Sequence, residues 1–400
     1  YLSNTKSDLD LNPLISSVKK AKLPVFILGN GIRNTSITVL NNFLNLVKSY
    51  KIPYLSTWGS KDLIEQLDPT DYYLGSPGIF GSRKANSLLY YSDCLLSIGC
   101  SLGYTHTGYR VSNINPSSLN IIDIDSSQFS KPELEEANKY LIDAESFMEL
   151  LIKGLKNEDI NYKNFQKDFK NLFFLYDQID RKSAGKSKYI SLIESLNKLL
   201  FNSKNPDSFI FCTDMGTSFT ATHSFLKCKG SKLFTASGHA PMGWGLPGSI
   251  GAAFGSPNKT IICLTGDGGL LMDIQELMHL SHYDLNIKLI LINNGGYATI
   301  MNTTNRYHNK SVASAPSNGV VNPNFQKIAE AYSLPFHTLL NVDDISSFIN
   351  SPGPMIIQIK TEPFEYIGPK LMQSSEDVNE LLNMYPFIDS SILRKEIELL

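Results

Sequence analysis

The sequence predicts an α/β protein with two doubly wound domains, each a parallel sheet flanked by helices. Three observations predict it. Short β-branched runs recur between longer stretches with helical spacing, the runs are apolar throughout instead of alternating, and Gly, Pro, Asn or Asp bounds them. A strand covered by helices on both faces has no solvent side, so continuous apolarity marks a buried parallel strand. In chain order the candidate strands are Val25 to Leu28, Cys94 to Ile98 and Asn120 to Ile124, then Phe209 to Cys212, Ile261 to Thr265, Lys288 to Ile292 and Met355 to Ile359. Between these two groups, residues 156–187 are rich in Lys, Asn and Asp with scattered aromatics (Phe165, Phe169, Phe173, Phe174, Tyr176) and offer no strand. We read them as a partly helical connection between a first domain, 1–155, and a second, 188–365. A C-terminal tail, 366–400, is expected to pack on a domain or a neighbouring subunit.

Composition narrows the function classes. Four hundred residues with 42% hydrophobic and 18% charged side chains are enough for two or three packed cores and exclude disorder. A net charge of −2 provides no broad positive field for a nucleic-acid backbone or an anionic membrane. The five cysteines (Cys94, Cys100, Cys212, Cys228, Cys263) are odd in number and mostly set in apolar runs, which suits reduced core thiols in a cytoplasmic protein. No run reaches the roughly 18 apolar residues that a membrane span needs.

The chemistry concentrates in Thr265-Gly266-Asp267-Gly268-Gly269 and Asn293-Asn294-Gly295-Gly296. A strand, a Gly-rich turn, a helix and a second strand ending in two amides make a βαβ unit, so both clusters fall at the carboxyl ends of parallel strands, where ligands bind. Asp267 and Asn294 together offer a carboxylate oxygen, an amide oxygen and nearby backbone carbonyls. A small hard cation such as Mg²⁺ takes oxygen ligands and commonly keeps phosphate oxygens among them. Gly costs about 0.5–1 kcal/mol relative to Ala in an ordered element, and a phosphate cradle gives a reason for the cluster at 266, 268, 269, 295 and 296. Taken singly, each motif also reads as a plain turn or loop.

With these motifs the chain resembles the thiamine diphosphate enzymes of the acetolactate synthase type. The GDG and NN pair is similar to their cofactor motif, and Ser237-Gly238-His239-Ala240-Pro241-Met242-Gly243-Trp244-Gly245 is similar to the glycine-rich segment that precedes it. Leu28-Gly29-Asn30-Gly31, Gly81-Ser82-Arg83-Lys84-Ala85-Asn86, Thr107-Gly108 and Ile122-Asp123-Ile124-Asp125 resemble landmarks of the family's middle domain in the same order. The resemblance implies a middle domain over 1–155 and a thiamine diphosphate-binding domain over 188–365. It implies Mg²⁺ held by Asp267, Asn294 and the carbonyl of Gly296. It places Asp214, Met215, Gly216, Thr217 and Ser218 in the loop that meets the diphosphate, with hydroxyl and backbone donors at 217 and 218 where many relatives carry Gln-His. Gly266, Gly268, Gly269 and Tyr297 would line the cofactor, and Ala240 and Met242 would meet the aminopyrimidine through their backbones. Met272 would wedge the cofactor into its bent form, the other reading being a plain core methionine. His239 would shuttle a proton, or serve only as a polar neighbour.

The activity implied is decarboxylation of a 2-keto acid such as pyruvate, with carboligation to an aldehyde or ketone acceptor. A simple 2-keto acid decarboxylase or 2-hydroxyacyl lyase is the second reading, and a non-catalytic subunit the third. Some landmarks are changed. Thr105 stands where the family offers an Arg to the acceptor carboxylate, Phe80 replaces a flavin-contacting His, Asn34 occupies the third glycine position of a dinucleotide fingerprint, and Thr303 replaces a Trp of the biosynthetic enzymes. FAD is therefore left open, absent or purely structural. In the family a Glu on a separate pyrimidine-binding domain activates the cofactor across an interface, and neither Glu65 nor Glu276 lies in a matching segment. With Tyr1 rather than Met at the start, the resemblance implies the carboxyl-terminal two-thirds of a longer polypeptide or one half of a split enzyme. A homodimer or homotetramer that includes the pyrimidine-binding domain is expected, with no nucleic acid and no membrane.

Overall fold

The computed structural model describes residues 9–67, 71–114, 118–184, 187–363, 365, 367–372, 379–398 and 400. Tyr1, on which the expectation about the start of the chain falls, lies outside the described residues. The chain forms two units: residues up to 181 together with 369–400, and residues 182–368.

The first unit is built on a parallel sheet of β1 (Pro24–Leu28), β2 (Tyr54–Ser56), β3 (Cys94–Ile98), β4 (Leu119–Asp123) and β5 (Asn138–Leu141), in the order β2-β1-β3-β4-β5. Side chains alternate across the sheet. Val25, Ile27, Leu95, Leu119 and Ile121 enter one core, while Phe26, Leu28, Leu96, Ile98 and Ile122 enter another. The flanking helices carry matching stripes: Ile37–Ser49 starts where the Ser36 hydroxyl accepts from Val39 N, and it buries Leu40, Phe43 and Val47.

The second unit holds β6 (Phe209–Thr213), β7 (Lys232–Phe234), β8 (Thr260–Gly266), β9 (Ile287–Asn293), β10 (Phe336–Thr338) and β11 (Met355–Lys360), all parallel, in the order β10-β11-β9-β8-β6-β7. Phe209, Phe211, Ile262, Leu264, Ile290 and Ile292 pack on one face, and Ile210, Ile261, Cys263, Leu289 and Leu291 on the other. The chain moves from β6 to β7 on one side and returns to place β8 on the other. That reversal between β6 and β8 opens a crevice at the carboxyl ends of the strands.

Two expectations are corrected. Strand Asn120 to Ile124 sits one residue earlier, at Leu119–Asp123, because Ile124 is exposed beyond the last pair with β5. Residues 156–187 are not merely a connection: helices Phe165–Asp168 and Lys170–Ala184 bury Phe165, Phe169, Leu172 and Tyr176 in the first unit's core. Of the scattered aromatics, Phe165, Phe169 and Tyr176 form the buried stripe, while Phe174 is exposed. The tail belongs to the same unit, where Leu371, Leu381, Leu382, Met384, Ile388 and Leu393 join that core. The Arg83 guanidinium, fully buried, donates to the carbonyls of Met384 (2.7 Å) and Pro386 (2.9 Å) and to Asp180 Oδ1 (2.7 Å). All five cysteines are buried and none is in a disulfide. Among the described residues no helix is long and apolar enough to cross a membrane.

Candidate functional site

Strands β8 and β9 are neighbours, with Gly266 paired to Ile292, so Asp267 and Asn294 leave the sheet side by side. Asp267 opens the short helix Asp267–Leu270 and is 1% exposed. Among the described residues its Oδ1 accepts only from Gly268 N (2.9 Å), whereas Oδ2 accepts from Gly295 N (2.8 Å), Gly296 N (3.0 Å) and Asn322 Nδ2 (2.6 Å). One oxygen is therefore saturated and the other keeps a lone pair. Burial pushes this carboxyl up, while donors from Asn322, Gly268, Gly295 and Gly296 pull it down. Asn294 is buried, and among the described residues its Oδ1 accepts only from Gly296 N (3.2 Å).

The loop after β6 reaches the same edge. Asp214, 1% exposed, accepts from Met215 N (2.8 Å), from Gly243 N (2.9 and 3.1 Å) and from the Thr265 hydroxyl (2.8 Å). Its carboxylate thus ties the ends of β6 and β8 to the glycine-rich segment 237–245, and burial raises its pKa against those hydrogen bonds. Gly216 caps the helix Thr217–Phe225, whose first-turn amides have no acceptor within the helix and face whatever binds in the crevice. Thr217 is half-buried. Ser218 departs from expectation: it is buried, and its hydroxyl donates to the Asp214 carbonyl (2.9 Å), one turn back. Only its backbone amide remains for a diphosphate.

Along the segment 237–245, His239, Ala240 and Met242 are all exposed, and Ala240 takes φ +54 while its amide donates to Ala236 O (2.9 Å). Met272 is half exposed and adjacent to Gly243, on which a Cβ would stand 2.7 Å from the Met272 Cβ. It is not a core methionine. Tyr297 lays its ring on Gly268, where a Cβ would come within 2.5 Å of the ring, and its amide donates to Ser314 O (2.9 Å). Its contacts are those of a scaffold.

The donor set suits a hard cation that bridges to phosphate. Asp267 Oδ1 and Asn294 Oδ1 are oxygens with spare lone pairs, and no cluster of three or more His, Cys, Asp or Glu occurs among the described residues. One carboxylate leaves most of the coordination sphere to phosphate oxygens, carbonyls and water. Asn322 and Ser314 belong to this architecture and carried no sequence signal, whereas Thr265 stands in the glycine-rich motif itself. Asn322 lies 55 positions beyond Asp267 in a loop without a motif.

Comparison with known proteins follows the same division. Residues 214–359 match the family description "Thiamine pyrophosphate enzyme, C-terminal TPP binding domain", and residues 11–149 match "Thiamine pyrophosphate enzyme, central domain". The chain is 26% identical to a probable acetolactate synthase large subunit of Methanococcus aeolicus over 96% of its own length and 66% of the relative's. It is 28% identical to the acetolactate synthase large subunit of Lactococcus lactis subsp. lactis, over 92% and 63%. For the isozyme 1 large subunit of Escherichia coli the identity is 24%, over 91% and 63%. The chain spans less than two-thirds of the length of these relatives.

Proposed function

Because this chain belongs to the thiamine pyrophosphate enzymes, carrying their central domain and their C-terminal cofactor-binding domain, we propose that its second unit holds thiamine diphosphate through Mg²⁺ for decarboxylation of a 2-keto acid with carboligation. When bound, thiamine diphosphate supplies the electron sink that lets a 2-keto acid lose CO₂ and pass its remaining carbons to a carbonyl acceptor. The protein's part is to hold and orient. Asp267 Oδ1, Asn294 Oδ1 and the Gly296 carbonyl would take the cation. The amides that open helix Thr217–Phe225, with the Thr217 hydroxyl, would take the diphosphate, and Met272 would press an apolar side chain against the cofactor. One observation carries this reading: Asp267 and Asn294 emerge together from the neighbouring strands β8 and β9, next to the strand-order reversal, with the amides of Gly295 and Gly296 already turning the carboxylate.

Pyruvate is the donor we propose. With Thr105 in place of an Arg, no clamp is offered to an acceptor carboxylate, which favours an aldehyde or ketone. The acid that activates the cofactor is proposed to come from another domain, since Glu65 is buried against Lys61 (3.3 Å) and Glu276 lies 3.1 Å from His279 Nδ1. The exposed Met242, Phe254, Met272 and Met278 support such a partner or a second copy. A flavin is not part of the proposed chemistry. In the first unit Gly29 and Gly31 pack directly on Gly99, with the Gly29 amide on Ile98 O (2.8 Å) and a Cβ at 29 only 2.1 Å from Gly99 O, so backbone fills the crevice between β1 and β3. The five buried cysteines, none in a disulfide, support a cytoplasmic setting.

Product analysis tests the proposal. With pyruvate, Mg²⁺, thiamine diphosphate and the Glu-bearing domain, an acyloin or acetohydroxy acid is expected together with CO₂. Acetaldehyde as the only organic product would make the protein a decarboxylase. Absence of metal-dependent cofactor binding would refute the site itself.

A further inference from the structure

We propose that Asn322 is a positioning residue of the metal centre, its amide nitrogen fixing the carboxylate of Asp267 and its amide oxygen receiving a water held by the cation. The inference rests on the proposed Mg²⁺ and diphosphate role of Asp267. Asn322 stands in the loop between Gly319 and helix Phe325–Ala331. Its Nδ2 donates to Asp267 Oδ2 at 2.6 Å, and the opposite amide orientation would set two acceptor oxygens at that separation. With Gly295 N and Gly296 N on the same oxygen, Oδ2 has three donors and no capacity left, so the carboxylate can offer a cation only Oδ1. Asn322 therefore helps decide which oxygen faces the metal.

The other half of the amide points to water. Asn322 Oδ1 is buried and has no hydrogen-bond partner among the described residues. A buried acceptor without a donor is costly and calls for one. Diphosphate oxygens cannot serve, being acceptors themselves. Mg²⁺ keeps several waters whose hydrogens point away from the ion, and these are donors in the right place beside Asp267. The loop that delivers Asn322 is ordered by its own bonds: Asn318 Oδ1 accepts from Ser314 N (2.7 Å) and Ala315 N (2.8 Å), and Val320 N donates to Ala315 O (3.1 Å). Tyr297 N on Ser314 O (2.9 Å) fastens it beside the Asn294 turn. Carboxylates that ligate metals depend on such outer partners, and their loss commonly weakens metal binding about 10–100-fold.

The test titrates the full chain with Mn²⁺ at saturating thiamine diphosphate, reading free Mn²⁺ by electron paramagnetic resonance, with melting in chelator as the control for folding. Asn322→Ala is expected to weaken Mn²⁺ binding about 10–100-fold while melting in chelator within a few degrees of the native chain. Asn322→Asp keeps the acceptor for a metal-bound water, so it should regain most of the affinity. In chelator it should melt lowest, because two carboxylates then face each other. Should Asn322→Ala fail to fold, Asn322→Ser carries the same expectation. Mn²⁺ affinity within twofold of the native chain in Asn322→Ala, or equal losses in the Ala and Asp variants, would overturn the role of Asn322 alone. A native chain that binds neither Mn²⁺ nor thiamine diphosphate would overturn both this inference and the proposed function.

Discussion

Asp214 Oδ2 lies 2.1 Å from the point that a Cβ on Gly269 would occupy. The two residues come from loops after different strands, β6 and β8, and their contact closes the floor of the crevice. The same carboxylate holds the Thr265 hydroxyl and the Gly243 amide, so displacing it disturbs three segments at once. Gly269→Ala is expected to cost about 1–3 kcal/mol, the range for overpacking a filled interior. Denaturant midpoints measured in chelator would show it, and an unchanged midpoint would mean that Asp214 can swing aside.

Removing the anionic ligand should abolish cofactor binding without unfolding the unit. Asp267→Ala leaves the amides of Gly268, Gly295 and Gly296 without their acceptor and the proposed cation without this carboxylate. Calorimetry is expected to show thiamine diphosphate affinity in the native chain that vanishes with chelator, and a loss of more than about 100-fold in the variant.

The sequence was legible where apolar runs are long and silent where strands are short. All seven strands read from apolar runs exist, and the four that escaped are β2, β5, β7 and β10, the outer strands of the two sheets. An edge strand is paired on one side only. It can be three or four residues long and partly exposed, as Lys232–Phe234 and Phe336–Thr338 are, and so leaves no apolar run to notice. The site divides similarly. Asp267 and Asn294 announce themselves through local glycines and strand ends, whereas Asn322 arrives from a loop by tertiary folding. At Ser218 the hydroxyl in the helix's first turn serves the backbone, donating to the Asp214 carbonyl, which no local pattern signals.

Lys288 should make the second unit more stable in mild alkali. It sits within β9, fully buried, with its ammonium donating to the Gly353 carbonyl, and burial pushes its pKa down to about 8. The unfolded chain holds that proton up to the ordinary lysine range near about 10.4, so between the two values the unfolded state binds more protons and stability rises with pH. Below pH of about 8 both states are charged and the burial cost is complete. Denaturant stability is expected to climb by about 1–3 kcal/mol across this window, and Lys288→Met should flatten the rise. A native chain whose stability is flat from neutrality to that range would contradict the assignment.

Arg83 ties the tail to the first unit, so its loss should free that tail. Arg83→Met removes the donors to Met384 and Pro386 carbonyls and strips Asp180 of its partner, inside a core where nothing else in the set can replace a guanidinium. About 2–4 kcal/mol of stability is expected to go, by the magnitudes for stranded buried polar groups and broken ion pairs. Limited proteolysis should cut between 369 and 400 first, before any site within 24–141. Simultaneous cutting throughout the unit would show that the tail is no separate layer.

Turnover should need a carboxylic acid beyond those that the described residues place at the site. Activation of thiamine diphosphate requires a proton to be withdrawn at the cofactor, and a group within hydrogen-bond reach of the pyrimidine must drive it. Neither of the two glutamates weighed for that task is free to do it: Glu65 is committed to Lys61 within the first unit, and Glu276 stands beside His279. His239 is exposed beside Ala240. The chain by itself is therefore expected to bind thiamine diphosphate with Mg²⁺ yet consume no pyruvate above background. Adding a pyrimidine-binding domain that carries the Glu should restore consumption, and the same domain with Glu→Gln should not. Robust turnover by residues 1–400 alone, abolished by His239→Ala, would instead place the acid–base group within this chain.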